Sequence, residues 1–309
     1  MTPPFYAPGC APTMEVYKFM SNYVIVTDSS CDLPAHLVEA LELKVVPLAF
    51  LFGEQSYLNY PDNREMSPEE FYNRLAGGEM ATTNAVNPDQ AMTALEPELA
   101  QGRDVLVLAF SSGLSATYQS FQIAAQELSG RYPERSIQVV DTLCASLGQG
   151  MLVYLAGKQR QAGKSLEEVR DWALEYRFRQ CHWFTVNDLF FLKRGGRVSA
   201  ATALVGTMLQ IKPVLRVDEE GHLITMSKSR GRRASLDALV EKVGELGTEV
   251  FNQTMFISHS NCLEDARYVA QSIYNKYGAQ EIIINSIGPV IGAHTGPGCV
   301  ALFFTGSHR

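Results

Sequence analysis

The sequence predicts an α/β fold in two parts: a doubly wound, mostly parallel sheet at the N-terminus, and a mixed α+β unit with a largely antiparallel sheet at the C-terminus. Three observations carry that expectation. Short β-branched runs alternate with helical stretches up to about residue 177, the mark of βαβ units and a Rossmann-like sheet. Residues 105–110 read Val-Leu-Val-Leu-Ala-Phe, apolar at every position, as a strand covered on both faces must be. Beyond residue 178 the alternation gives way to residues 211–218, a Glu219-Glu220-Gly221 turn and residues 222–229, the pattern of an antiparallel hairpin. At 309 residues the chain has room for two domains. They are placed at 23–177 and 178–309, after a leader over 1–22 expected to be disordered.

The elements follow in order. Residues 23–27 (Tyr-Val-Ile-Val-Thr) make the first buried strand, followed by a polar turn over 28–34 and a short helix. Residues 44–50 read as the second strand. Ser67-Pro68-Glu69-Glu70 is a capping box with proline at the first helical position, where its missing N–H costs nothing, and Gly77-Gly78 end that helix. Asn87-Pro88-Asp89-Gln90 opens the next helix in the same way. A strand over 137–141 and a helix over about 144–161 come next, and Ser165-Leu166-Glu167-Glu168 caps one more helix. In the second part, residues 254–259 and 281–287 add strands around a helix at about 262–277.

Composition excludes several classes. Apolar residues make up 46% and charged residues 19%, too apolar for a disordered chain, and the net charge of −7 argues against a general nucleic-acid binder. The six cysteines contain no Cys-x-x-Cys and read as reduced thiols of a cytoplasmic protein. The first twenty residues lack the basic start and continuous apolar stretch of a signal peptide. The longest apolar region, 282–304, is broken by Gly288, Pro289, Gly292, Gly296, Pro297 and Gly298, so no membrane-spanning helix is expected.

Catalytic and cofactor motifs fail on spacing. Residues 158–165 end in Gly163-Lys164-Ser165 but lack the first glycine of a P-loop and follow a helix where such a loop must follow a strand. Gly148-Gln149-Gly150 has Val153 where a dinucleotide fingerprint needs its third glycine. No Gly-x-Ser-x-Gly elbow occurs. His259-x-x-Cys262 and the adjacent Cys181-His182 are too sparse for a metal site. The expectation is no metal, no cofactor and no catalytic residue.

Four polar segments sit where strands should end, the place where open α/β sheets bind ligands. They are the hydroxyl-rich loop over 81–88 (Ala-Thr-Thr-Asn-Ala-Val-Asn-Pro), then 111–118 (Ser-Ser-Gly-Leu-Ser-Ala-Thr-Tyr) after the buried strand, then 192–199 (Leu-Lys-Arg-Gly-Gly-Arg-Val-Ser), and last 287–298 (Ile-Gly-Pro-Val-Ile-Gly-Ala-His-Thr-Gly-Pro-Gly). The guanidinium fork of Arg197 suits a carboxylate or phosphate, and His294 lies among glycines that permit close approach. Elsewhere Lys228, Arg230, Arg232 and Arg233 put four cations into six positions of an acidic chain.

The last three of these segments, together with the opening Thr27-Asp28-Ser29-Ser30-Cys31-Asp32-Leu33-Pro34, resemble the DegV family over about residues 23–306. The resemblance implies a bacterial fatty acid-binding protein with the lipid buried between or within two domains. It also implies that some members present the carboxylate to an ATP-dependent fatty acid kinase subunit, which makes acyl phosphate. Carried over by motif, Thr82 and Ser112 would hydrogen-bond the carboxylate, with Arg197 and His294 beside them and Thr295 adjacent. Where the family typically reads Thr-Ser-Gln-Pro-Ser, this chain has Thr82-Thr83-Asn84-Ala85-Val86, which leaves the choice between Thr82 and Thr83 open, as it is between Ser111 and Ser112. The basic residues 228–233 would dock an acidic partner such as the kinase subunit, or touch anionic lipid headgroups transiently. The rivals are a small-molecule hydrolase or transferase with Ser112 or Cys144 as nucleophile, and a carrier of another amphiphilic carboxylate.

Overall fold

Three sheets and the helices between them build the protein, seen here in a computed structural model that describes residues 22–187, 189–198 and 210–309. The predicted leader over 1–22 (except its last residue) and Ser199 of the Arg197 motif lie outside the described residues. The first sheet has the order β2-β1-β6-β7 and is parallel throughout: Tyr23–Asp28 (β1), Lys44–Val46 (β2), Asp104–Ala109 (β6) and Ile137–Asp141 (β7). The second has six strands in the order β10-β9-β8-β13-β11-β12. These are Gln180–Thr185 (β8), Ile211–Val217 (β9), Leu223–Arg230 (β10), Thr254–His259 (β11), Glu281–Ser286 (β12) and Val300–Thr305 (β13). Every pairing in it is antiparallel except β11 with β12. The third is a three-stranded antiparallel sheet, β4-β3-β5, of Ala49–Phe52 (β3), Gln55–Leu58 (β4) and Ala81–Asn84 (β5). The fold is therefore the predicted one: a parallel α/β sheet in the N-terminal part and a mixed, mostly antiparallel sheet in the C-terminal part.

Burial explains the layering. Leu147–Gln161 (α5) is buried on nearly every side, because it runs between the two large sheets and touches β1, β6, β8, β11 and β13. Its glycines permit that approach: a Cβ on Gly150 would lie 2.5 Å from the Cys31 carbonyl oxygen, and one on Gly148 would lie 2.3 Å from Cε1 of His182. Pro88–Ala100 (α3) and Thr117–Arg131 (α4) cover the other face of the parallel sheet, with Leu95, Leu99, Phe121 and Leu128 fully buried against Val105 and Val107. Arg232–Leu246 (α8) and Leu263–Tyr277 (α9) cover the outer face of the six-stranded sheet through Leu239, Val243, Val269 and Ile273. Pro68–Ala76 (α2) packs Phe71 and Tyr72 on the small sheet. Leu166–Tyr176 (α6) leads from the first sheet to β8.

Three local expectations need correction. The single strand over 44–50 is two strands in different sheets; Pro47, between them, has no N–H to continue a ladder. The loop at 81–84 is an edge strand paired to β3. The helix expected from about 144 starts at Leu147, after Ser146 takes a left-handed φ of 53°. His294 sits on the short helix Pro289–Thr295 (α10). The capping boxes at Asn87 and Ser165 are complete, whereas at Ser67 only the serine half forms. Strands β8 and β13 and helix α8 were not foreseen.

Candidate functional site

Between the strand ends of the parallel sheet and the inner face of the six-stranded sheet lies a cavity of about 240 Å³. Leu48, Phe110, Ala145 and Ser146 enter it from turns after β2, β6 and β7, and Thr83, Asn84 and Ala85 from the end of β5. From the other side come Phe184 of β8, Val217 of β9, Leu223 of β10, and Ala301 and Phe303 of β13. Residues of α10 form a third wall.

One end is polar. Thr83 Oγ1 and His294 Nε2 are 2.8 Å apart, and Arg197 lines the wall beside them. Phe190–Arg194 (α7) sets this corner. Arg194 donates to the carbonyls of Ala81 on β5 (3.2 Å) and Ala293 on α10 (3.0 Å), tying three elements together. Gly195 then passes so close to His294 that a Cβ there would lie 2.2 Å from Nδ1. The Arg197 guanidinium donates to the carbonyls of Leu114 and Gly195, which aims it across the corner. Burial, then the charges of Arg197 and Arg194, pull the His294 pKa down to about 4, so the imidazole is neutral near pH 7. Its Nδ1 is buried without a hydrogen-bond partner. An anion placed here meets one permanent cation, a hydroxyl, and an imidazole whose proton affinity the anion itself would raise.

The opening motif holds the walls in place. Asp28, fully buried, accepts from Phe110 N–H (2.9 Å), Ser30 N–H (3.1 Å) and Gln149 Nε2 (3.1 Å), locking the turn after β6 to α5. Asp32, left-handed at φ 52°, accepts from Ser146 Oγ (2.5 Å) and Gly288 N–H (2.9 Å), joining the start of α5 to the start of α10. Burial raises both carboxyl pKa values, that of Asp32 to about 7.

The expected residues divide cleanly. Arg197, His294, Thr83 and Thr295 line the cavity. Thr82, placed first by motif, does not: successive strand residues point to opposite faces, and Thr82 is exposed on the far side of β5. Ser111 and Ser112 are absent from the wall as well. Ser111 is spent on the carbonyl of Gly221 at 2.9 Å, and the cavity-lining serine of that loop is Ser115, which holds Thr117 Oγ1 at 2.9 Å. The basic run separates too. Lys228 and Arg230 stand exposed on β10, whereas Arg232 pairs with Asp265 (2.8 Å) and Arg233 covers the ring of Tyr268 near Asp237. Sequence reasoning weighed His182 only as a metal ligand; its signal as a cavity residue was its alternation with Phe184 along β8. Cys144 is fully buried with its thiol pKa raised, the wrong direction for a nucleophile. Among the described residues no group of three or more His, Cys, Asp or Glu could hold a metal ion, and no helix is long and apolar enough to cross a membrane.

Fold and cavity together define a class: a layered α/β protein enclosing a mostly apolar chamber with a small polar corner. Residues 22–306 match the family described as "Uncharacterised protein, DegV family", and the chain belongs to it. It is 43% identical to a DegV domain-containing protein of Clostridium perfringens, covering 94% of this chain and 99% of that one. A DegV domain-containing protein of Streptococcus pyogenes is 32% identical, over 93% and 99%. Among solved structures, a fatty acid-binding DegV family protein from Thermus thermophilus superposes with a TM-score of 0.81 at 31% identity, covering 92% of this chain and 99% of that one. DegV of Bacillus subtilis, described as a fatty acid binding protein, gives 0.78 at 26% identity, over 93% and 100%.

Proposed function

We propose that the chain binds a long-chain fatty acid in the cavity, its carboxylate held by Thr83, His294 and Arg197, and presents that carboxylate to a separate ATP-dependent kinase. The observation that carries this reading is the pairing of one polar corner with an otherwise apolar chamber. Fatty acid binding by the Thermus thermophilus and Bacillus subtilis relatives supports it. So does the energetics. About fourteen methylenes at roughly 0.8 kcal/mol each contribute about 11 kcal/mol, and ordering costs still leave submicromolar affinity. The protein carries out no chemistry itself and works in the cytoplasm, where its cysteines stay reduced. The exposed Lys228 and Arg230 offer a contact for an acidic face of the kinase or, transiently, for anionic headgroups.

Native extraction and mass spectrometry of the purified protein test the reading. A co-purified long-chain acid, displaceable by a fluorescent acyl probe, is the expected result. The absence of both a co-purified acid and probe binding would sink it.

A further inference from the structure

His182 is a feature of the chamber that an apolar chain does not explain. It lies on β8 facing the cavity with Phe184, is 2% exposed, and has no hydrogen-bond partner for either ring nitrogen. Its neighbours offer none. Gly148 packs on the Cε1–Nδ1 edge, but the Gly148 N–H is bonded to Ala145 O and its carbonyl accepts from Gln180 Nε2. Phe303 meets the ring edge to face at 5.3 Å. Burial and the charge of Arg309 keep the imidazole neutral, so it presents one N–H donor and one bare acceptor.

Position along the cavity matters as much as chemistry. The chain passes from β8 to α7 and Arg197 by way of the Thr185 end of the strand, and three residues at about 3.3 Å each set His182 roughly 10 Å along β8 from that end. An extended chain advances about 1.2 Å per bond, so about 10 Å is about eight bonds, which places the imidazole beside the middle of a long acyl chain, around the ninth carbon.

We propose that His182 recognises a hydroxyl carried at mid-chain, so that the preferred ligand is a hydroxylated long-chain acid rather than a plain saturated one. A hydroxyl both donates and accepts, matching the two nitrogens of a neutral imidazole, whereas a methylene leaves both unsatisfied. The inference rests on the fatty acid reading above and adds the ligand's class.

The test is competition against a fluorescent long-chain acyl probe, comparing stearate with a stearate bearing one hydroxyl at about the ninth or tenth carbon. Wild-type protein should bind the hydroxy acid about tenfold more tightly, a difference of about 1.4 kcal/mol. In His182→Phe that ratio should fall to one or below, and His182→Asn should retain part of it. In the wild-type chain, the ring nitrogen resonances of His182 should shift with the hydroxy acid and not with stearate. Equal affinities in wild type, or a preference untouched by His182→Phe, would overturn the inference and leave fatty acid binding standing. If neither acid displaces the probe, both readings fall.

Discussion

The two large sheets contribute to the cavity in different ways. The parallel sheet lends only its carboxyl ends: Leu48, Phe110, Ala145 and Ser146 all follow strands rather than lie within them. The six-stranded sheet lends its face, through Phe184, Val217, Leu223, Ala301 and Phe303. The difference follows from what covers each sheet. Helices α3 and α4 occupy one side of the parallel strands and α5 the other, so their faces are full and only the strand ends can host a ligand. The mixed sheet has α8 and α9 outside, and on its inner side α5 covers only part, which leaves sheet surface for a hydrocarbon.

Substitutions can separate these contributions. The largest effect should come from Leu106→Ala, fully buried inside β6, which should cost about 2–5 kcal/mol in denaturant unfolding yet leave the folded protein's affinity for fatty acid unchanged. A parallel fall in affinity would mean that strand interiors matter after all. Ala301→Phe on β13 should do the reverse. By displacing about four methylenes it should weaken long-chain binding roughly 100-fold, with the unfolding midpoint little moved. Arg197→Ala should lower affinity roughly tenfold to a hundredfold, the worth of a charge-assisted hydrogen bond, in titrations at fixed salt. Thr83→Val should cost several-fold while Thr82→Val costs nothing; equal losses would move the headgroup to the other face of β5.

The smallest effect is a slope with pH, to which the two halves contribute with opposite sign. Asp32, raised from 3.8 to about 7, holds more protons folded than unfolded in that window, so its stabilisation is complete in acid and is lost as pH rises toward 7. His294, lowered from 6.5 to about 4, binds more protons unfolded, so its contribution grows as pH rises from 4 to 6.5. Relative to wild type, Asp32→Asn should steepen the rise of stability with pH between about 4 and 6.5, and His294→Gln should reduce or reverse it, both read from unfolding midpoints across that range.

Much of this architecture was legible in the residues. The apolar run of β6, the hairpin of β9 and β10, and the caps at Asn87 and Ser165 are local signals, and each produced its element. Strand β13 was hidden because it follows Gly296-Pro297-Gly298, whose punctuation masks the apolar residues after it. Strand β8 was hidden by Gln180 and His182, polar residues on a strand that is buried on both faces. At the site, Arg197 and His294 could be picked from chemistry alone. Thr83 over Thr82, and Ser115 over Ser111 or Ser112, could not. The first depends on which face of β5 turns inward and the second on the path of a turn, and both are set by partners distant in sequence.

The pairing of β5 with β3, Thr82 opposite Leu51 and Thr83 opposite Phe50, makes the cavity-facing residue a matter of parity. A slip of β5 by one residue against β3 would bring Thr82 or Asn84 toward His294, whereas a slip of two would restore the original side. Insertions between the two strands need not cause such a slip, because β4, α2 and their connecting loops lie there to absorb them. Register is thus the quantised variable: a relative whose β5 pairs one residue out of step would turn the neighbouring position toward its cavity.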